Sequence, residues 1–345
     1  MSTRKKTPLS ILLAIQNSSR LKAAIAIVLL IILIILPNII DNSFITGIMI
    51  KCALYTMLAM AVNLVQGYCG MSFLGCAGLI CVGAYTGALL MTRLSVNFFV
   101  AMIFSGMASM VFGFILSRLT VRLSGGYLGI VTVGFSEIVR IIAQNWTSLT
   151  GGPMGIKNIP VPSISNFTFS GVRYFYLALT LSVLCLFCSI RVINSHTGRV
   201  WQSIKADPSA TQALGVNILS YRTLCFVYAV FWTGVGGCFM AAYYRYISAD
   251  MFSMQESFNV LSMVIIGGMG TTFGPAIGAA LITILNEVFE FAGELRQVGY
   301  GMVVIIMLWW QPHGIMGIVH KIGQKLKHLE HSLENGGVSN GAVGS

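Results

Sequence analysis

The chain is a succession of long apolar runs separated by short polar connections. Because a membrane-spanning helix needs about 20 consecutive apolar residues, we predict ten candidate spans. In chain order they are 22–40, 44–66, 71–91, 97–117, 127–145, 174–190, 223–246, 258–270, 273–291 and 299–311. The eighth and tenth are short enough to be half-helices or re-entrant segments. Within the first, the apolar run from Ala23 to Leu36 is followed by Pro37-Asn-Ile-Ile rather than by a small-residue cleavage site, which favours a span over a removable signal peptide.

The composition supports this pattern, because hydrophobic residues make up 56% of the chain and charged residues only 9%. Soluble domains carry roughly 25% charged residues. We therefore expect an all-α, polytopic membrane protein with about 8–10 transmembrane helices. It divides into a basic segment at 1–21, a transmembrane domain at 22–318 and a polar tail at 319–345 that is expected to be disordered.

The distribution of Lys and Arg predicts the orientation, since cytoplasmic loops carry an excess of these residues. With the amino terminus inside, fourteen of the 21 fall in cytoplasmic segments, five fall outside and two lie within spans. Both termini and the polar connection at 191–222 are therefore expected in the cytoplasm. The net charge of +11 follows from this topology and does not indicate a nucleic-acid partner.

A short amphipathic segment, residues 203–215, lies inside that polar connection. Asp207 is a typical helix cap, Pro208 suits the first helical position, and Gly215 suits the end of a helix. The small apolar face of this helix would comprise Ala210, Ala213 and Leu214. The segment is either a surface on which another soluble protein acts or an ordinary surface connector.

Charged residues within spans are candidates for function, because an ionised group in hydrocarbon is costly. Glu137 and Arg140 are three residues apart, so they share one helix face and can neutralise each other. The pair either locks this helix against its neighbours or lines a translocation path.

Two further charges lie near predicted span ends. Glu287, with Glu290 and Glu294 after it, is interpreted as part of a solvated helix end or of a docking point for a basic partner. Lys51 is expected to extend to the interface or to pair with Asp41.

Two glycine-dense turns resemble each other. The first is Gly67-Tyr-Cys-Gly-Met-Ser-Phe-Leu-Gly75 and the second is Gly267-Gly-Met-Gly-Thr-Thr-Phe-Gly274. They indicate either an internal duplication around a substrate path or the ordinary packing of small residues between membrane helices. The glycines proposed for the path or for helix locking are Gly70, Gly75, Gly267 and Gly270. The predicted topology places both turns on the cytoplasmic side, which does not support an inverted repeat.

No combination of residues indicates an enzyme. The chain contains no Gly-x-x-x-x-Gly-Lys-Ser/Thr phosphate-binding loop, and its five His residues are near predicted cytoplasmic ends or in the tail. No metal site and no cofactor are predicted. Any energy for transport must then come from an ion gradient or from another chain.

Several segments together carry a resemblance to a known family. They are Asn63-Leu-Val-Gln-Gly-Tyr-Cys-Gly-Met-Ser-Phe-Leu-Gly75 with Gly83-Ala-Tyr85, residues 126–140, Asn145-Trp-Thr-Ser-Leu-Thr-Gly-Gly-Pro-Met-Gly155, residues 198–217, Gly267-Gly-Met-Gly-Thr-Thr-Phe-Gly-Pro275 and Pro312-His-Gly-Ile-Met-Gly317. In this order, over about residues 45 to 318, the chain resembles the LivM-type permease subunits of bacterial ABC importers for branched-chain amino acids. Related urea and amide permeases belong to the same group.

The resemblance implies the ABC importer permease fold and a multi-subunit importer in the bacterial plasma (inner) membrane. Two ATP-binding subunits, a homologous second permease and an extracytoplasmic solute-binding protein would accompany this chain. It also implies a coupling helix that seats in the ATPase, formed by Asp207, Pro208, Ala210, Ala213, Leu214 and Gly215.

Two departures from the family pattern qualify these implications. Cys76 stands where members often carry His, and Asp207-Pro208 stands where they often carry Glu. Branched-chain amino acids are the expected substrate, with urea, amides and other amino acids as alternatives. The alternative class is an ion-coupled secondary transporter or channel acting alone, with a coupling charge such as Glu287.

Overall fold

The computed structural model describes residues 34–37, 42–120, 123, 125–164, 167–289, 301–302, 305 and 314–316. Ten helices in this part of the chain form the scaffold. They are α1 Ser43–Asn63, α2 Cys76–Arg93, α3 Phe98–Thr120, α4 Gly126–Asn145, α5 Val172–Ile193, α6 His196–Ala206, α7 Pro208–Ala213, α8 Ile218–Tyr244, α9 Met254–Gly267 and α10 Gly274–Val288. The tenth predicted span, most of the first, the segment 1–21 and the tail 319–345 lie outside the described residues.

Six described helices are long and apolar enough to cross a membrane. They are α1 with its π-helical extension to Tyr68, and α2, α3, α4, α5 and α8. The prediction of an all-α, polytopic membrane protein is confirmed. The eighth predicted span corresponds to α9, which has 14 residues between Ser253 and Gly268. Such a helix is about 21 Å long and is shorter than the hydrocarbon core of about 30 Å, so α9 is a half-helix.

The core of the bundle is built around α1 and α8. Helix α8 packs against α1, α2 and α3, whereas α1 also packs against α5, α9 and α10. Most residues of α1 and α8 are buried, while α3, α4 and α5 each keep a broad apolar face exposed. Exposed examples are Phe104 and Val111 of α3 and Ile130 and Ile138 of α4. These faces suit lipid or another apolar membrane surface.

Helices α2 and α8 approach each other so closely that their backbones touch. A Cβ added at Gly83 would lie 2.4 Å from the carbonyl oxygen of Gly234. One added at Gly237 would lie 2.2 Å from the carbonyl oxygen of Ile80. Small residues at such crossings let membrane helices gain van der Waals contact that larger side chains would prevent. The glycines therefore set the distance between α2 and α8.

Two small strand pairs depart from the all-helical prediction. Strand β1 (Ile156–Lys157) pairs antiparallel with β4 (Tyr246–Ile247), and β2 (Ser163–Ile164) pairs antiparallel with β3 (Phe167–Thr168). Because β1 follows α4 and β4 follows α8, their pairing joins the ends of two helices that are distant in sequence, whereas β2 and β3 both lie in the connection after α4. A strand of two residues gives no periodic signal from which it could be predicted.

Replacing Gly83 with Ala is expected to separate α2 from α8, because the new methyl group meets a backbone oxygen that cannot rotate away. The free energy of unfolding should fall by about 1–3 kcal/mol, as for other overpacked core positions. Thermal unfolding of the detergent-solubilised protein measures this. Gly134→Ala is the matched control, since a Cβ there meets nothing within 4 Å. Equal melting temperatures for the two variants would contradict the close approach.

Candidate functional site

The predicted amphipathic segment forms helix α7 directly after α6. Asp207 is extended, with φ −154° and ψ 105°, so it ends α6 and begins α7. Its carboxylate accepts hydrogen bonds from the backbone N–H groups of Ser209 at 2.8 Å and Ala210 at 3.1 Å. After α7, Leu214 is 82% exposed and Gly215 has φ +83°. A large apolar side chain is therefore exposed directly after a capped helix.

Helix α7 is joined to α6 rather than hanging free. Thr211, the buried residue of α7, shares a hydrogen bond of 2.7 Å with the Ser203 hydroxyl of α6. It also donates to the Asp207 carbonyl at 2.8 Å. Helix α6 is in turn fixed to α8, because the buried Trp201 indole donates to the Tyr221 carbonyl at 3.0 Å. Helices α6 and α7 thus form one hydrogen-bonded unit attached to the bundle.

The two glycine turns, which are distant in sequence, lie against each other. The fully buried Asn63 joins them: its side-chain oxygen accepts from the Gly270 N–H at 2.8 Å, and its amide nitrogen donates to the Thr271 carbonyl at 2.9 Å. The hydroxyls of Tyr68 and Thr272 add a contact of 3.3 Å. The described part of the last family segment also arrives here, since Gly314 packs on the backbone of the second turn. Sequence reasoning did not find the bridging role of Asn63.

The four predicted glycines have two different structural roles. Gly70 and Gly270 lie within the turns at φ +72° and +77°, a backbone conformation that L side chains rarely adopt. Gly75 and Gly267 allow backbones to touch, because an added Cβ would lie 1.8 Å from the Thr132 carbonyl oxygen and 1.9 Å from that of Gly274.

Lys205 connects the α6–α7 unit to the turns. It is the second-last residue of α6, and its ammonium group donates to the Gly67 carbonyl at 2.6 Å. The same ammonium nitrogen would be 3.3 Å from a Cβ added at Gly270, so it lies beside both turns. From the sequence, Lys205 was only one of the fourteen predicted cytoplasmic Lys and Arg residues. A contact between residues 138 positions apart leaves no local signal.

The predicted pair of α4 is formed. The Arg140 Nε donates to the Glu137 carboxylate at 2.8 Å, and its Nη1 also contacts the Asp250 carboxylate at 3.4 Å. Asp250 belongs to the short helical turn Ala249–Phe252 that precedes α9. Arg140 therefore ties α4 to the segment leading into the half-helix.

Lys51 pairs with Glu287. Asp41, the partner considered from the sequence, lies outside the described residues. The two side chains are 2.5 Å apart and only 24% and 13% exposed, so interpreting Glu287 as a solvated helix end is wrong. Glu290 and Glu294 also lie outside the described residues. The pair links α1 to α10, and it could not be found from spacing because 236 positions separate the partners. In the part of the chain that the structure describes, no group of three or more His, Cys, Asp or Glu side chains could hold a metal ion.

These features together define a polytopic helical membrane protein with paired glycine turns and an exposed, capped connecting helix. The sequence profile of the family described as the permease component of branched-chain amino acid transport systems matches residues 44–309. The chain therefore belongs to this family of branched-chain amino acid transport permeases.

Two LivM relatives agree with this assignment. The chain is 32% identical to the high-affinity branched-chain amino acid transport system permease protein LivM of Salmonella typhimurium, over 90% of this chain and 78% of that protein. It is 31% identical to the LivM protein of Escherichia coli K12, with the same coverage. Among solved structures, an inward-facing ABC transporter described as of metal-chelate type matches with 16% identity and a TM-score of 0.44, over 88% of this chain and 97% of that one.

Breaking the Lys51–Glu287 pair from one side should cost more than removing both charges. Lys51→Met or Glu287→Gln alone leaves a half-buried charge without its partner, and each should lower the free energy of unfolding by on the order of 3 kcal/mol. The double variant should recover most of that loss. Unfolding of the solubilised protein completes the double-mutant cycle.

Lys157→Met is the matched control for that cycle, because Lys157 is exposed on β1. Its unfolding free energy should stay within about 0.5 kcal/mol of the parent. If the two single losses simply add in the double variant, the pair does not stabilise the fold.

Proposed function

We propose that the chain is the membrane-spanning subunit of an importer that moves branched-chain amino acids inward and is driven by separate ATP-binding subunits. Family membership over residues 44–309 is the observation that carries this proposal. The relatives are named as high-affinity branched-chain amino acid transport permeases, which supports this substrate class over urea or amides. Those relatives are transport permeases, which supports assigning ATP hydrolysis to partner subunits.

Helix α7 is the proposed contact with the ATP-binding subunits. Its cap at Asp207 and the hydrogen bond between Thr211 and Ser203 hold it in one orientation on α6. The exposed residues of α7 are Pro208, Ser209, Ala210, Gln212 and Ala213, and they are followed by the 82% exposed Leu214. A short rigid helix with one protruding apolar side chain suits insertion into a groove of another protein, because little conformational entropy is lost on binding.

The remaining partners follow from the same proposal. A homologous second permease and the lipid bilayer would cover the exposed apolar faces of α3, α4 and α5. A solute-binding protein would dock on the extracytoplasmic side. The connections after α4 and α8, which contain strands β1 to β4, would lie there. Both termini and α7 would then be cytoplasmic, in a bacterial plasma (inner) membrane.

In this proposal, the polar groups inside the bundle hold neighbouring helices in place. Glu137 and Arg140 neutralise each other and reach Asp250, which supports a structural tie between α4 and the segment before α9. The contacts at Gly75 and Gly267 likewise support close helix packing. Gly70 and Gly270, at the turns, are the two glycines that we place at the end of the translocation path.

The alternative of a solitary ion-coupled transporter is less well supported. It needs a carboxylate within the membrane that can gain and lose an ion. Glu287 was the candidate, but Lys51 already neutralises it at 2.5 Å. An ion-coupled transporter also offers no reason for the exposed, capped helix α7.

Leu214→Arg and Gly215→Trp are expected to prevent the ATP-binding subunits from co-purifying with this chain. A central apolar contact in an interface is worth 2 kcal/mol or more, so subunit recovery should fall at least about tenfold. Quantification of the ATP-binding subunits recovered with the tagged permease measures this.

Leu94→Arg provides the matched control. Leu94 is 67% exposed at the other end of α2, away from the α6–α7 unit, so the same substitution there should leave subunit recovery unchanged. Normal recovery and normal ATP-dependent uptake with Leu214→Arg would overturn the assignment of α7. Uptake by the parent protein without ATP or a binding protein would overturn the importer itself.

A further inference from the structure

Lys205 lies between α7 and the two glycine turns. Its backbone lies two residues before Asp207, the cap of α7, and its ammonium group lies on the Gly67 carbonyl at 2.6 Å. The Lys205 side chain also runs along Gly70, because a Cβ added at Gly70 would lie 2.9 Å from its Cγ. A single side chain therefore contacts the first turn along its stem and at its tip, and the tip also lies beside the second turn.

The charge of Lys205 is directed at backbone and not at a carboxylate. In the part of the chain that the structure describes, the ion pairs involve Lys51 and Arg140 but not Lys205. Gly67 lies in the π-helical turn that ends α1, and the last carbonyls of a helix lack partners within the helix. An ammonium group there both supplies a donor and suits the negative end of the helix dipole.

The second glycine turn is also connected to the end of α1 by hydrogen bonds. Asn63 fixes the Gly270 N–H and the Thr271 carbonyl to the end of α1, so the second turn must follow the first if the first is displaced. At α7, the Ser203–Thr211 hydrogen bond couples the two helices, so that α6 moves when α7 is displaced. A continuous series of hydrogen bonds thus runs from the exposed helix to both turns, and Lys205 is its link between elements.

We propose that Lys205 is the positioning residue that transmits displacement of α7 to the paired glycine turns, and thereby couples ATP hydrolysis to opening of the path. This inference rests on the proposed function of α7 as the ATPase contact. Lys205 would act after the ATP-binding subunits have docked. Docking and hydrolysis should therefore survive its loss, whereas transport should not.

The test uses the complete transporter in proteoliposomes, with its ATP-binding subunits and binding protein. With Lys205→Met, the ATP-binding subunits should still co-purify and hydrolyse ATP, while the amount of leucine taken up per ATP hydrolysed should fall about tenfold or more, since a charged hydrogen bond is lost. Lys205→Arg should recover a substantial part of the uptake, because a guanidinium group can still donate to the Gly67 carbonyl. A purely structural role would not produce this selective loss and rescue.

Arg199→Met is the matched control. Arg199 is exposed on the same helix, and its guanidinium donates only within its own segment, to the Asn194 carbonyl at 3.2 Å. Uptake per ATP should therefore equal that of the parent.

Two results would overturn the inference. Uptake per ATP within twofold of the parent for Lys205→Met would show that the contact transmits nothing. Loss of subunit binding by Lys205→Met would assign Lys205 to the docking surface instead. Failure of the parent chain to bind any ATP-binding subunit would instead refute the proposed function itself, so the two failures are distinguishable.

Discussion

The structure depends on how two breaks in helical backbone are satisfied inside a membrane protein. Buried backbone groups without a hydrogen-bond partner are costly, so irregular backbone inside the bundle must be satisfied by the protein itself. Asn63 meets this need for the second turn with one acceptor and one donor, and Lys205 supplies a donor to the first. Because the two turns share these contacts, the half-helix α9 and the long helix α1 are held as neighbours.

Charge within the bundle follows the same rule of internal satisfaction. Lys51 and Glu287 neutralise each other between α1 and α10, and Arg140 is shared by Glu137 and Asp250. The Lys51–Glu287 and Arg140–Asp250 pairs each join elements that hydrophobic packing alone would allow to slide, since apolar faces specify depth and area but not register. The ion pairs therefore fix which parts of the helices meet, while the glycine contacts of α2 and α8 fix how closely they pack.

The features that could be predicted from the sequence depend on residues that lie close together along the chain. Helix α4 lies at Gly126–Asn145 where 127–145 was predicted, because apolar length alone determines a span. The capped helix after Asp207 could also be anticipated, since cap, proline and glycine lie within nine residues. The Lys51–Glu287 pair, the bridging amide of Asn63 and the contact of Lys205 could not, because each joins positions more than 130 residues apart.

Trp201 and Lys205 of α6 both attach the α6–α7 unit to the bundle, and the two contacts differ in what they can move. Trp201 fixes α6 to the start of α8, whose glycine contacts with α2 leave no room for sliding. A displacement through that attachment would shift the central helices as a body. Lys205 instead reaches turns in which Gly70 and Gly270 have positive φ and adjacent backbone can change conformation at low cost. If α7 is the contact with the ATP-binding subunits, as proposed, a force on it would move the bundle through one contact and reshape the glycine turns through the other.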